Sequence, residues 1–171
     1  MDDERLVKQC LKGKRSAQKH FYERFSEKMF GVCLRYVKQH DAAQDVLQDG
    51  FIKVFQNLQK YNNKGSLEGW VRRVIVNTAL DYLRKEKTKG YSVQVEDVSY
   101  RLEKNDFIIE RLSANDLLKI IHTLPEGYKT VFNMYAIEGY SHKEIAAKLD
   151  ISENTSKSQY SRAKAQIRDL L

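Results

Sequence analysis

The sequence predicts an all-α protein made of two small helical domains joined by a linker. Three observations carry this. The 171 residues hold one proline and eight glycines, too few chain breakers for a turn-rich β architecture. Apolar side chains recur at spacings of three and four along most of the chain, the period of helices that pack by one face. That rhythm lapses in the acidic, weakly patterned residues 91–112 and resumes at Ser113, which divides the chain into domains over 1–90 and 113–171. Hydrophobic residues make up 42% of the chain, enough for real cores.

The elements follow in order. Residues 3–12 predict a short helix with Leu6, Val7, Cys10 and Leu11 on one side. Ser16 is the expected cap of a long second helix, whose face carries Phe21, Tyr22, Phe25, Met29, Val32, Cys33 and Tyr36. An aromatic stripe of this kind packs inward far more often than it binds a ligand. Asp41 is the expected N-cap of a third helix reaching about residue 58, with Val46, Leu47, Phe51, Val54, Phe55 and Leu58 on its apolar face. YNNKG, residues 61–65, is a loop by composition. Ser66 then caps a fourth helix to about residue 87, with Leu67, Trp70, Val71, Val74, Ile75, Thr78, Ala79 and Leu83 as its buried stripe. Its end is basic, at Arg84, Lys85, Lys87 and Lys89, which also suits the negative end of the helix dipole. The linker is expected to hold an extended piece at residues 91–95. Ser113 with Asp116 opens the next helix, bearing Leu117, Leu118, Ile121 and Leu124. Pro125 starts another, carrying Val131, Phe132, Met134, Tyr135 and Ile137 and ending near Gly139.

Charge narrows the function classes. The net charge is +7, and the first 90 residues hold most of the excess, with 19 basic against 11 acidic side chains. Such an excess suits a polyanion, whether nucleic acid or an anionic membrane, although a simply soluble basic protein has it too. No apolar run approaches the ~20 residues that span a bilayer, and MDDERLVKQC is too polar for a signal peptide. A cytoplasmic protein with no direct membrane insertion is expected. Cys10 and Cys33 form no C-x-x-C pair and are expected to be buried free thiols.

The most informative stretch is GYSHKEIAAKLDISENTSKSQYSRAKAQIRDLL. Ser141 and Glu144 have capping-box spacing ahead of Ile145, Ala146 and Leu149. Asp150 and Ile151 make a tight turn, and Ser152 caps a last helix from about Glu153. Ser156, Tyr160, Ala163 and Ile167 fall on its inward face. Asn154, Lys157, Ser158, Ser161 and Arg162 fall outward, with Lys164 beside them. Residues 154–168 hold four basic side chains and no acidic one. Two helices joined this way form a helix-turn-helix whose second helix fits the major groove, where Lys and Arg meet phosphates or guanine and Ser and Asn meet either. The competing reading is an ordinary helical hairpin with a solvated cationic face; the capping box, turn and amphipathic second helix in register favour DNA binding over it.

On these residues the chain resembles the extracytoplasmic-function sigma factors over nearly its whole length. AAQDVLQDGFIKVF, residues 42–55, resembles region 2.2. GSLEGWVRRVIVNTALDYLRKEK, residues 65–87, resembles regions 2.3 and 2.4. Residues 124–164 resemble region 4. The resemblance implies a non-enzymatic specificity subunit. Its partners would be promoter DNA, core RNA polymerase (through the β′ coiled coil and the β flap) and an anti-sigma factor, with no cofactor and no small-molecule substrate. Asp45, Gln48 and Asp49 match the polar positions that grip the polymerase. Asp41, Asp45 and Asp49 lie four apart on one helix face, offering carboxylates to a basic partner. No metal is expected there, since no histidine or further carboxylate lies close in sequence.

The resemblance also implies −10 opening by the loop and fourth helix, through Asn62, Asn63, Lys64, Ser66 and Asn77, with Arg72, Arg73 and Arg84 on phosphates. Trp70 matches a family aromatic position but is expected in the core. The −35 element would be read by Asn154, Lys157, Ser158, Ser161 and Arg162. Two departures stand out. Ser156 occupies a position where an aliphatic residue packs in the family, which predicts a looser helix seat, and Gln159 replaces an Arg, which predicts one phosphate contact fewer.

Two other classes compete. A stand-alone helix-turn-helix regulator, usually dimeric on a palindrome, leaves the region 2 resemblance unexplained. An enzyme such as a recombinase or nuclease needs a nucleophile with its base, or clustered carboxylates. His20, His40, His122 and His142 are scattered and are expected to be surface or packing residues.

Overall fold

The computed structural model describes residues 2–89 and 113–171. The expected linker and its extended piece at 91–95 lie outside the described residues. The chain divides into two compact units, Met1–Tyr91 and Ser92–Leu171. Every regular element described is helical.

The first unit contains α1 (Asp3–Leu11), α2 (Arg15–Tyr36), α3 (His40–Asn57), a 3₁₀ turn (Leu58–Lys60) and α4 (Leu67–Thr88). Asp2 caps α1 by accepting the Arg5 N–H at 2.8 Å, and Asp3 and Glu4 sit where the helix dipole favours carboxylates. Leu6, Val7 and Cys10 of α1 are buried on α2, but Leu11 is 51% exposed and stands outside the core. Helix α2 starts one residue before Ser16, with Lys14 at the cap position and no side-chain cap. Helix α3 starts at His40, after Gln39, so Asp41 lies in its first turn instead of capping it. In both places the preceding chain enters the helix early, and the dipole there accommodates the Asp41 carboxylate. Ser66 does cap α4, accepting the Gly69 N–H at 3.0 Å.

Helices α2, α3 and α4 pack against one another. Because α4 touches both neighbours, it buries a broader band than a single stripe. Val76 and Leu80 are buried along with Leu67, Val71, Ile75, Thr78 and Ala79, whereas Trp70, Val74 and Leu83 are only half-buried. Tyr22 is exposed rather than core, its ring meeting Phe51 edge-on at 4.8 Å. Gly50 marks a close approach of α3 to α4, since a Cβ there would overlap the Ile75 Cδ1. Cys10 and Cys33 are free and buried, and burial pushes the Cys33 thiol up to about 12.

The second unit holds α5 (Ala114–Ile121), α6 (Glu126–Phe132) running into a π turn (Asn133–Ile137), α7 (His142–Leu149) and α8 (Glu153–Asp169). Ser113 caps α5 through the Asp116 N–H at 3.2 Å, and Pro125 precedes α6. Ile121, Leu124, Tyr128, Phe132, Ala163 and Ile167 form the core. The wider π turn re-aims the residues after Phe132, so Met134 is buried while Tyr135 stands exposed.

Candidate polymerase and nucleic-acid interfaces

On α3, Asp45, Gln48 and Asp49 are exposed, and Asp41 continues their line toward the helix start. Asp45 and Gln48 open onto a groove between α2 and α3, whose other walls include Tyr22, Glu27, Phe30 and Leu47; Asp49 stands outside it. Ile52, one turn beyond Gln48, is 50% exposed. This surface joins carboxylates to apolar rings, which suits a partner helix carrying both cations and apolar side chains. Tyr22, Ser26 and Phe30 on the α2 wall were absent from the expected site. Their spacing of four is visible in the sequence, but the aromatic stripe predicts Tyr22 in the core.

The loop before α4 is held by its own bonds. The Tyr61 hydroxyl donates to the Gly65 carbonyl at 2.9 Å, and the Lys64 N–H donates to Asn62 Oδ1 at 3.0 Å. Asn63 adopts φ 58° and Gly65 φ 81°, the left-handed turn conformations these residue types tolerate. Asn62 and Ser66 thus shape the loop and cap the helix, while the Asn63 and Lys64 side chains are exposed. Trp70 is half-buried, its ring 5.8 Å from that of Tyr61 at the base of the loop. Along α4, Arg73 and Asn77 are exposed one turn apart, and Arg72 is half-buried. Arg84 donates to Asp81 Oδ1 at 2.8 Å, and Lys53 of α3 donates to Asp81 Oδ2 at 3.1 Å. One carboxylate therefore ties two cations at the far end of this basic face.

In the second unit the capping box forms on both sides: Ser141 Oγ accepts the Glu144 N–H at 3.1 Å and Glu144 Oε2 accepts the Ser141 N–H at 2.8 Å. Asp150 takes φ 55° to turn the chain, and Ser152 caps α8 through the Thr155 N–H at 3.0 Å. Asn154, Lys157 and Ser158 project from α8 into solvent, while Ser161 and Arg162, on the same face, are half-buried. Lys164 folds back over the Tyr160 ring at 4.7 Å. Gln159 lies against Gly127 of α6, so this position faces a neighbouring helix.

Ser156 corrects the expectation of a looser helix seat. It is 0% exposed, and its Oγ lies 2.8 Å from His142 Nδ1, so the polar residue is bonded into its seat instead of loosening it. Burial and the Lys157 charge hold the His142 ring below its ordinary pKa, which keeps it neutral near pH 7. No group of three or more His, Cys, Asp or Glu among the described residues could hold a metal ion.

Comparison with known proteins agrees with this layout. Residues 21–89 match the sigma-70 region 2 family and residues 114–167 the sigma-70 region 4 family. The chain is 29% identical to the ECF RNA polymerase sigma-E factor of Haemophilus influenzae, over 98% of this chain and 94% of that protein. It is 24% identical to the ECF RNA polymerase sigma factor SigW of Bacillus subtilis, over 96% of this chain and 94% of that one. Among solved structures, the sigma factor RpoE of Bartonella quintana, in complex with the anti-sigma factor NepR, shares the fold with a TM-score of 0.55 at 20% identity. The match covers 89% of this chain and 94% of that one. CnrH, in complex with the cytosolic domain of CnrY, aligns with a TM-score of 0.54 at 21% identity, over 98% and 96% of the two chains.

Proposed function

Since this chain belongs to the sigma-70 family, as a two-domain sigma factor of the extracytoplasmic-function type, we propose that its exposed faces divide the work of promoter initiation between them. It is an alternative sigma factor that directs RNA polymerase to promoters. Sigma factors are as a class not enzymes, and in this reading the polymerase carries out all the chemistry.

Domain 1–90 binds core polymerase through Asp45, Gln48 and Asp49, with the α2–α3 groove seating the partner's apolar side chains. The same domain opens the −10 element. Extruding a base costs a few kcal/mol, which a preformed polar pocket offsets. The internally bonded loop supports this role, because a loop already held in shape needs less ordering when the base enters. Asn63, Lys64 and Asn77 contact bases, while Arg72, Arg73 and Arg84 meet phosphates; Asn62 and Ser66 contribute by holding the loop. Residues 91–112 link the domains. Domain 113–171 reads the −35 element through Asn154, Lys157, Ser158, Ser161 and Arg162. The sigma factor RpoE of Bartonella quintana is bound to an anti-sigma factor, and a partner of that kind is proposed here too. No helix among the described residues is long and apolar enough to cross a membrane, and the proposed site of action is the cytoplasm.

The observation that carries this reading is the order of the two matched regions, each with its own exposed polar face. Run-off transcription from fragmented genomic DNA, with core polymerase plus or minus this protein, tests it. Discrete transcripts that need the protein are expected. Active core and folded protein yielding none would favour a stand-alone regulator and call for a core-free DNA-binding assay.

A further inference from the structure

We propose that His142 is a positioning residue for α8: its bond to Ser156, set within an aromatic stack, fixes the seat of the helix that presents Asn154, Lys157 and Ser158. The inference deepens the −35 reading proposed above. Ser156 lies in the first turn and a half of α8 and is completely buried, so its hydroxyl has no access to water. The partner is His142 Nδ1, at 2.8 Å, on the first residue of α7. A third element holds the ring. Tyr135, from the π turn, stacks on His142 with ring centroids 4.2 Å apart and planes 13° apart. Tyr160, one turn along α8 from Ser156, lies 4.5 Å from Tyr135 and 5.9 Å from His142.

The geometry differs in kind from apolar packing. An aliphatic side chain at 156 would be satisfied by any snug contact, and α8 could rotate slightly at small cost. A hydrogen bond is directional and weakens steeply with misalignment, so an imidazole stacked on Tyr135 holds the first turn in one register. Lys157 and Ser158 follow Ser156 directly in sequence, so a rotation at 156 carries both away from the groove. The bond accommodates either neutral tautomer, because Ser156 can donate to Nδ1 or accept from it.

The test compares full-length wild type with His142→Asn, which keeps a polar atom near the Nδ1 position, His142→Phe, Ser156→Val, and the His142→Phe/Ser156→Val double variant. Three readouts are taken on protein shown to be folded: ¹⁵N shifts of the His142 ring, backbone amide shifts of Lys157 and Ser158, and −35-dependent transcription from promoters found by run-off. His142→Phe and Ser156→Val should each move both amides and lower transcription about tenfold, the scale of orphaning one buried polar group. His142→Asn should recover most of that loss. The double variant, with both polar partners removed, should regain stability but not the wild-type amide positions or promoter output. A His142 Nδ1 shift that Ser156→Val leaves unchanged, or His142→Phe amides that match wild type, would overturn the proposal whether or not transcription is observed. Absence of any transcript with wild type would count against the sigma-factor reading alone, since the ring and amide signals do not depend on it.

Discussion

Gly50→Ala is expected to destabilise the first unit, and the structure allows the effect to be worked through. Gly50 is buried on the side of α3 that faces α4, where an added methyl would overlap Ile75 Cδ1 and stand 3.7 Å from Ile75 Cα. Ile75 is completely buried, so its terminal methyl would have to turn aside within the core. Two terms compete. Helix propensity favours alanine over glycine by about 1 kcal/mol. Forcing a methyl into a filled core costs about 1–3 kcal/mol. Because the atom met is the terminal methyl of Ile75, the two terms together leave a net loss of up to about 2 kcal/mol. The coupling is more diagnostic than the net. Ile75→Val removes the carbon that the new methyl meets and by itself costs about 0.5–1.5 kcal/mol. With both changes the methyl fills the vacated space, so the double variant should be more stable than the sum of the singles by at least about 1 kcal/mol. Urea unfolding of the full chain, followed by fluorescence, measures this cleanly. Trp70 is the sole tryptophan and belongs to the first unit, so its signal reports that unit. Additive effects, or a stabilised Gly50→Ala, would refute the close approach of α3 and α4.

Other outcomes follow from the same geometry. Lys157→Ala and Arg162→Ala should each lower −35-dependent initiation about tenfold while leaving core binding intact; loss of core binding in both would contradict the division of labour between domains. Asp45→Arg should weaken core polymerase binding at least about tenfold without changing the urea midpoint, because the residue is exposed; unaltered affinity in a pull-down or titration would remove α3 from the interface. The Cys33 thiol, raised by burial to about 12, retains its proton in the folded chain after the unfolded chain has lost it. The folded state's advantage is therefore complete below the ordinary thiol value and is lost as pH rises toward 12, by up to ~4 kcal/mol. Cys33→Ala should flatten that alkaline decline, and urea midpoints with the same slope in variant and wild type would show that burial of this thiol is not its cause.

Much of the fold was legible because it depends on local chemistry. Ser66, Ser113 and Ser152 cap helices, and Ser141 with Glu144 forms the capping box, because each uses only atoms within three residues. Ser16 and Asp41 have the right side chains for caps, but the path of the preceding segment decides where the first helical turn closes. The face of α8 was legible in the same way, with Asn154, Lys157 and Ser158 outward and Ala163 and Ile167 inward. Gln159 was not, since facing Gly127 of α6 is a relation between helices distant in sequence. The partnership of His142 with Ser156 was also hidden, although both residues belong to the same motif: spacing shows that a serine is buried, not which group answers it.

The sequence by itself determined the helical class, the helix-turn-helix and the charged faces, because periodicity, caps and charge are written along one dimension. Tertiary structure alone decided which side chains share a surface. It placed Tyr22 and Phe30 of α2 beside Asp45 and Gln48 of α3, tied Lys53 and Arg84 to one Asp81 carboxylate, and broadened the buried band of α4. The reason is physical: a helix's period tells which residues point the same way, but only the packing of a second helix determines whether that direction is core, groove or solvent.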